Sequence, residues 1–340
     1  MSARDRVWEG VRLHVVTGKG GTGKTTLATA LALALASGGK KTLLVEVEGR
    51  QGIAQIFGRA PLPYEERKVA DTPQGGQVYA LAVDAEAALL EYLEMFYGMR
   101  RAGMALTRFG AVDFATTIAP GVRDVLLTGK ATEAVRRRSG DQRRGDQDGS
   151  RQPHIYDAVV LDAPPTGRIA QFLNVNAEVA GLARVGSIHN HAAKVMQTIR
   201  SPQTAVHFVT TLEEMPTQET LDGIDEVRAV GLNVGTVMIN MVREPFFAPE
   251  VMASAAEGEI DTEALIQGLK ATRMDHPERM ARELAEEMTD HARRLRTESA
   301  VRERLSGIDH PRFEIPFVDD DIAPAALFAL ADLLRDQGAR

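Results

Sequence analysis

A glycine-rich segment near the N-terminus, VVTGKGGTGKTT (15–26), constrains the fold of this chain more than any other stretch. From Gly18 to Thr25 it matches the phosphate-loop pattern G-x-x-x-x-G-K-[ST]. The pattern lies between a predicted buried strand (12–18) and a predicted helix (24–37), which is the context that such a loop requires. Its glycines let backbone N–H groups turn inward around phosphates, at a helix end whose dipole favours anions. The segment therefore predicts a nucleotide site.

The residue types in this loop predict how the nucleotide is held. We expect Lys24 to neutralise the β and γ phosphates, the Thr25 hydroxyl to ligate Mg²⁺, and Thr26 to reach the α phosphate. ATP is the expected nucleotide, because no N-K-x-D segment typical of GTP-binding proteins follows a late strand. The loop residues expected to contact it are Gly20, Gly21, Thr22, Gly23, Lys24, Thr25 and Thr26.

Apolar segments alternate with helical segments along the rest of the chain. Further strands are predicted at 41–47, 77–84, 155–162, 204–211, 233–240 and 312–318. Apolar strands separated by helices are typical of parallel sheets that are buried on both faces. We therefore predict an α/β P-loop fold in which a mainly parallel sheet is covered by helices on both faces.

Two helix-rich regions interrupt this alternation, and they predict a helical subdomain built from insertions at 85–134 and 245–306. The predicted P-loop ATPase domain comprises residues 1–84, 154–244 and 307–340. Between them, residues 135–153 are rich in charge and nearly devoid of apolar side chains, which predicts a flexible surface loop. The aspartates among its arginines, and the lack of aromatic residues, argue against a nucleic-acid patch.

Composition narrows the possible functions. The net charge of -7 argues against a general binder of nucleic acid or anionic membranes. The chain has 0 cysteines, which excludes disulfides, zinc-thiolate sites and metalloid binding by thiolates. The longest apolar run, LATALALALA (27–36), is half of the roughly 20 residues that span a bilayer, and no signal peptide is evident. We expect a cytoplasmic protein without stable membrane insertion.

Lys19 is a second lysine in the loop, and it would repel Lys24 unless an anion or a partner lies between them. The segment KGGTGKTT resembles the deviant Walker A loop of the dimeric ATPases that handle arsenite, tail-anchored membrane proteins, septum placement and chromosome partition. In that class the early lysine points across a dimer interface to the nucleotide of the other subunit. The resemblance implies that Lys19 acts in trans, in a homodimer or in a heterodimer with a paralogous ATPase.

VVLDAPPTGRIAQFL (159–173) resembles switch II of the ArsA and tail-anchored-protein-targeting ATPases, which reads D-[TA]-[AP]-P-T-G-H-x-x-R-x-L. Asp162, at the end of a predicted strand, is placed to hold a Mg²⁺-bound water. Thr166 can cap the helix that follows, and Arg168 takes the position of the family's histidine. The chain is thus identified as a cysteine-free, bacterial-type member of this family.

Three further segments resemble the same family. APGVRDVLLTGK (119–130) is similar to its P-G-x-x-E segment. Asn240 falls where the family presents an asparagine to the adenine edge, although an asparagine at a strand end is often only a cap. IPFVDDDI (315–322) matches the loop that borders the base, which implies that Pro316 and Phe317 contact the nucleotide.

Switch I departs from the family pattern D-P-A-H-S. Here Glu48 takes the position of the aspartate that orients or activates the attacking water. The extra methylene moves the carboxylate by about an ångström, and a shift of that size can cost up to about 10² in rate. Glu46 lies on the same face of the strand, two residues earlier, and is a weaker candidate. The predicted catalytic residues are therefore Lys19, Lys24, Glu48 and Asp162.

The resemblance implies a dimeric ATPase whose nucleotide state gates the binding of hydrophobic or membrane-protein clients. Methionines in the two helix-rich regions would suit an adaptable apolar groove, although each of them could equally be an ordinary core residue. They are Met95, Met99, Met104, Met252, Met274, Met280 and Met288. The alternatives are the energising ATPase of an anion or metalloid efflux system, which the missing cysteines disfavour, and a regulatory or positioning ATPase.

Overall fold

The computed structural model describes residues 7–97, 121–139, 152–182, 187–318 and 324–340. The strands in this part of the chain are β1 (Leu13–Gly18), β2 (Lys41–Glu46), β3 (Arg67–Asp71), β4 (Gln77–Ala82), β5 (Ala158–Asp162), β6 (Thr204–Thr210), β7 (Val234–Val242) and β8 (Arg312–Pro316). The helices are α1 (Lys24–Ala36), α2 (Gly52–Ile56), α3 (Ala85–Tyr97), α4 (Val122–Arg136), α5 (Thr166–Leu182), α6 (Ser187–Ile199), α7 (Glu214–Ala229), α8 (Pro249–Ala256), α9 (Thr262–Ala271), α10 (Pro277–Ser306) and α11 (Pro324–Asp336).

The described strands form one 8-stranded sheet in the order β3-β4-β2-β5-β1-β6-β7-β8. Every neighbouring pair is parallel except β3 and β4. Helices cover both faces, so the prediction of an α/β fold with a mainly parallel sheet is confirmed. The sheet places β1 between β5 and β6, and the loop that follows β1 therefore opens at the centre of the carboxyl edge.

Side chains alternate across β1 and contribute to two separate core layers. Leu13 and Val15 pack into the layer under α4, α5 and α7, whereas Val16 packs into the layer under α1 and α11. Helix α1 is apolar around almost its whole circumference, and from Leu27 to Ala36 every residue is buried. A helix of this kind is stable only when it is enclosed, so α1 is fixed between the sheet and α11.

Sequence analysis did not anticipate β3. Only Val69 of its five residues is buried, and the other four are charged or partly exposed. Charged side chains are typical of an edge strand, which has a neighbour on one side only. Pairing with β4 holds β3 in place, and the order of apolar and polar residues along one segment does not reveal which strand it pairs with.

The helix-rich regions are helical where the structure describes them, in α3, α4, α8, α9 and α10, whereas residues 98–120, with Met99 and Met104, lie outside the described residues. The predicted surface loop starts at Val135, but Val135 and Arg136 are the last two residues of α4, and a bridge joins Arg138 to His154. Residues 140–151 also lie outside the described part. Among the described helices, none combines the length and apolar character needed to cross a membrane. The division into domains stays a prediction.

Candidate nucleotide site

The glycine-rich loop connects β1 to α1 in a conformation that needs its glycines. Gly21 and Gly23 have φ angles of 91° and 82°, a region that other residues rarely adopt. A Cβ at Gly23 would lie 2.3 Å from Asn240 Nδ2, so a side chain has no room there. A Cβ at Gly20 or Gly21 would meet no atom of the described residues within 4 Å, so these two positions are not confined by packing.

Asp162, the last residue of β5, accepts hydrogen bonds from Lys24 and Thr25, the two residues predicted to bind the phosphates and Mg²⁺. Lys24 Nζ donates to Asp162 Oδ1 at 2.7 Å, and Thr25 Oγ1 donates to Asp162 Oδ2 at 2.7 Å. The parallel register pairs Val16 of β1 with Asp162 of β5, which sets the carboxylate beside the loop. Lys24 and Asp162 are both buried, so their charges interact where water screens them little.

The donor set at Asp162 fits a magnesium ion that is shared with phosphates. The Thr25 hydroxyl and the Asp162 carboxylate are hard oxygen donors, which Mg²⁺ prefers. No group of three or more His, Cys, Asp or Glu residues that could hold a metal is found among the described residues. A magnesium ion here would therefore complete its shell with phosphate oxygens and water, as is usual for nucleotide enzymes.

Glu46, the last residue of β2, and Glu48, two residues later, have different surroundings. Glu48 Oε2 lies 3.5 Å from Lys24 Nζ, so this carboxylate reaches the phosphate side of the site. Glu46 is buried instead, and its carboxylate accepts from the backbone N–H groups of Gly52 at 3.3 Å and Ile53 at 3.1 Å. Glu46 thus holds the start of α2. The structure places Glu48, rather than Glu46, with Lys24 and Asp162.

Asn240 lies on the opposite side of the loop, where the base is expected. Its Nδ2 donates to the carbonyl oxygen of Thr22 at 2.9 Å, which leaves Oδ1 as the atom that an adenine amino group could reach. The next residue, Met241, has a φ of 58°, and the β7–β8 register shifts at this point. A positive φ at a bulky residue is costly and is typical of functional sites. Pro316 and Phe317, both exposed, follow at the end of β8.

Lys19 makes an ion pair within its own chain. Its Nζ lies 2.6 Å from Oε1 of Glu219, on α7, and both side chains are about one third exposed. Sequence reasoning missed Glu219. It is 200 residues from Lys19, and an acidic residue in an amphipathic helix carries no local signal that would single it out.

Switch II contacts the first turn of α4. Arg168 Nη2 donates to Asp124 Oδ2 at 3.2 Å, and the neighbouring Arg123 donates to the carbonyl oxygen of Val47, just before Glu48, at 3.3 Å. Burial raises the pKa of Asp124, and the charges of Arg168 and Arg123 oppose that shift. Thr166 is the first residue of α5, and its buried hydroxyl has no hydrogen-bond partner among the described residues. The predicted cap by Thr166 is therefore wrong: the backbone enters the helix at this residue rather than after it.

A glycine-rich loop between a central parallel strand and a buried helix, with an aspartate at the end of the adjacent strand, defines a P-loop nucleoside triphosphatase. The family model of the anion-transporting ATPases (ArsA ATPase) matches residues 11–202, and the chain belongs to that family. ATPase BagA of Mycobacterium tuberculosis is 49% identical over 331 residues, which cover 97% of this chain and 94% of that protein. The chain is an ATPase, and its family resemblance is confirmed.

More distant relatives carry different names. The arsenical pump-driving ATPase of Escherichia coli is 26% identical over 270 residues, 73% of this chain and 42% of that protein. ATPase GET3 of Kluyveromyces lactis is 27% identical over 192 residues, 52% of this chain and 51% of that protein. Of these two relatives, the Escherichia coli protein is named for driving an arsenical pump.

Proposed function

We propose that this ATPase works as a dimer whose nucleotide state gates the binding of hydrophobic or membrane-protein segments. The observation that carries the proposal is an apolar groove between α8, α9 and α10. We define it by the residues Phe246, Phe247, Met252, Leu265, Leu284 and Met288, and its lining also includes His291 and the charged Glu287, Asp290 and Arg294. Exposed apolar patches of this kind on a monomer are typical of interaction sites.

The groove is large and open to solvent. Its cavity measures about 580 Å³, and an adjoining cavity of about 480 Å³ shares Phe247, Leu265 and Met288 with it. Phe246 is 77% exposed, and Phe247 is 46% exposed. Methionine is unbranched and flexible, so Met252 and Met288 can adapt to clients of different shape. These properties support an apolar client that has no fixed sequence.

ATP is the substrate that drives the cycle. Lys24 Nζ lies 2.7 Å from Asp162 Oδ1, and in the proposed cycle Lys24 exchanges this pairing for one with the ATP phosphates. Thr25 and Asp162 are the residues that would hold Mg²⁺, which neutralises phosphate charge when bound. Glu48, freed from Lys24 in the same exchange, is placed to orient the attacking water. Asn240, Pro316 and Phe317 would hold the base.

A second subunit would complete the site through Lys19. The pair Lys19–Glu219 is partly exposed, and a surface ion pair of this kind contributes little stability. Lys19 can therefore exchange Glu219 for the phosphates of a facing subunit at small cost. We propose that this exchange closes the dimer on ATP, and that hydrolysis opens it. The facing subunit is either a second copy of this chain or a paralogous ATPase.

Client binding can be tested with a defined apolar segment. A fluorescent peptide with one 20-residue Leu/Ala helix would be released from detergent in the presence of the protein and Mg-ATP, and the soluble complex quantified. We expect Phe246→Asp with Phe247→Asp to abolish capture. The control is Met215→Asp, because Met215 is an apolar residue on α7, outside the groove, with 60% exposure. Equal capture by the groove variant and the control would refute the groove as the client site.

The name of the Escherichia coli relative favours a second candidate, an ATPase that energises an efflux pump. Arsenite or antimonite would then stimulate hydrolysis. We expect no stimulation, since this chain has 0 cysteines to bind a metalloid. A rise in kcat with arsenite would instead support the efflux role.

A further inference from the structure

The segment that joins β7 to α8, residues 243–248, runs from the base side of the nucleotide site to the apolar groove. Its first residue, Arg243, comes three positions after Asn240 and packs its guanidinium 5.0 Å above the ring of Phe317. Its fourth residue, Phe246, lines the groove and stacks on His291 of α10 with 4.7 Å between ring centroids. One short segment thus touches both sites.

Arg243 also fixes α10. Its Nη1 lies 2.9 Å from Oε1 of Glu298, whose side chain is only 7% exposed. Glu298 Oε2 is buried as well, and within the described ranges no group hydrogen-bonds to it. In the part of the chain that the structure describes, Arg243 is the ion-pair partner of this carboxylate. Because a buried carboxylate without its cation is strongly unfavourable, Arg243 and Glu298 must move together.

Helix α10 connects this ion pair to the groove. It has 30 residues, and its C-terminal part is anchored in the core by Val301 and Leu305. His291 and Leu284 precede Glu298 by seven and fourteen residues, which places them on the same face of the helix, up to roughly 21 Å away. A small rotation of α10 at Glu298 is therefore transmitted to two groove residues.

Phe317, just after β8, links the base side of the nucleotide site to Arg243. The Phe317 backbone N–H donates to the carbonyl oxygen of Val242, the residue just before Arg243, at 2.9 Å. The Phe317 side chain is 43% exposed, so it is free to pack against a ligand. A base that is held between Asn240 and this loop would shift Phe317, and with it Arg243.

We infer that Arg243 is a positioning residue that couples occupancy of the base site to the shape of the apolar groove, through Glu298 and the Phe246–His291 stack. This inference rests on the proposed function, because it takes the groove to be gated by nucleotide. It differs from that function in locating the coupling on the base side of ATP, away from the phosphates, Glu48 and Asp162.

The test uses the absence of natural cysteines. Ser254, which lines the adjoining cavity, becomes the single thiol in Ser254→Cys and is labelled with acrylodan. We expect Mg-ATP to shift the emission of the labelled protein. Arg243→Gln with Glu298→Gln, which removes both charges together, should lose most of that shift. It should also raise the KM for ATP while kcat is retained.

Helix α10 supplies a matched control. Arg302, one turn beyond Glu298, pairs with Glu314 of β8 at 2.9 Å, and both side chains are exposed. Arg302→Gln with Glu314→Gln also removes one ion pair from the same helix, and we expect it to keep the full emission shift. If the Arg243 and Glu298 variant does not fold, Phe317→Ala is the second variant. It removes the exposed ring that contacts Arg243, and it should also lose the emission shift.

The result that overturns the inference is an ATP-dependent shift that survives in both Phe317→Ala and the Arg243 and Glu298 variant, or no shift in the parent protein. Neither outcome depends on a client. Capture of the apolar peptide by the parent would show that the groove proposal stands even where the coupling fails. An ATP-dependent emission shift without capture of the peptide would show that the coupling stands even where the groove does not bind this client.

Discussion

Two buried histidines should make this protein less stable as the pH falls from 7.5 to 5.5. His14 of β1 and His207 of β6 are fully buried, and His14 Nδ1 lies 3.1 Å from His207 Nε2. Trp8 stacks on both rings, with centroid distances of 5.5 Å and 4.8 Å, and on Phe313 at 5.8 Å. The Thr236 backbone N–H donates to His207 Nδ1 at 3.0 Å. This bond needs an unprotonated Nδ1, so it suits a neutral His207 imidazole.

The pKa values give the sign and size of the effect. Burial lowers the pKa of His14 to about 3, and burial, with the nearby His14, lowers the pKa of His207 well below its ordinary value. In the unfolded chain both titrate near pH 6.5, so between that pH and the folded-state values the unfolded chain binds more protons. Stability is therefore complete above pH 6.5 and is lost as the pH falls. At pH 5.5 each histidine costs about 1.4 kcal/mol, and the pair costs about 2.7 kcal/mol relative to pH 7.5.

Trp8 is the single tryptophan of the chain, so its fluorescence reports unfolding of this region in urea. Extrapolated free energies of unfolding at pH 7.5 and 5.5 give the pH-dependent loss directly. We expect His14→Gln to reduce that loss by about 1.4 kcal/mol, whatever it does to the absolute stability. His276→Gln, at an exposed histidine, should leave the loss unchanged. If the pH-dependent loss of unfolding free energy is as large in His14→Gln as in the parent and in His276→Gln, the reasoning is refuted.

The remaining predictions concern turnover. Glu48→Gln should lower kcat by about 10² or more, because Glu48 is placed to orient the attacking water. Glu46→Gln should keep most of kcat and lower the free energy of unfolding by about 1–3 kcal/mol, since Glu46 only holds the start of α2. The opposite pattern would exchange the roles of the two glutamates. Asp162→Asn should reduce kcat more than ATP affinity, and a complete loss of ATP binding by calorimetry would contradict this role. Lys19→Ala should lower kcat by about 10³, as a charge supplied across an interface does, and near-normal turnover would exclude action in trans. Glu219→Gln should keep turnover and lower the ATP concentration at which sedimentation detects a dimer; unchanged dimerisation would exclude its competition for Lys19.

Much of the nucleotide site could be predicted because its signals are local. The residues from Gly18 to Thr25 are contiguous, and their conformation follows from glycine and from a helix start. Asp162 could be predicted because it ends a short apolar run, and parallel strands bring their carboxyl ends to one edge of the sheet. Glu48 and Glu46 could not be separated by periodicity, since strand alternation puts residues two apart on the same face. The contacts of Glu46 with the backbone N–H groups of α2 and of Glu48 with Lys24 distinguish them.

The sequence by itself determined the α/β class, the phosphate loop and the membership of an ATPase family, because strand and helix periods and a contiguous motif are properties of neighbouring residues. The tertiary structure alone decided which distant charges meet: Lys19 with Glu219, Arg168 with Asp124, and Arg243 with Glu298. Each of these pairs joins separate elements, and a charged residue on a helix or loop looks the same in sequence whether it meets solvent or a partner. The apolar groove has the same origin, since it exists only where α8, α9 and α10 leave their apolar side chains facing one another.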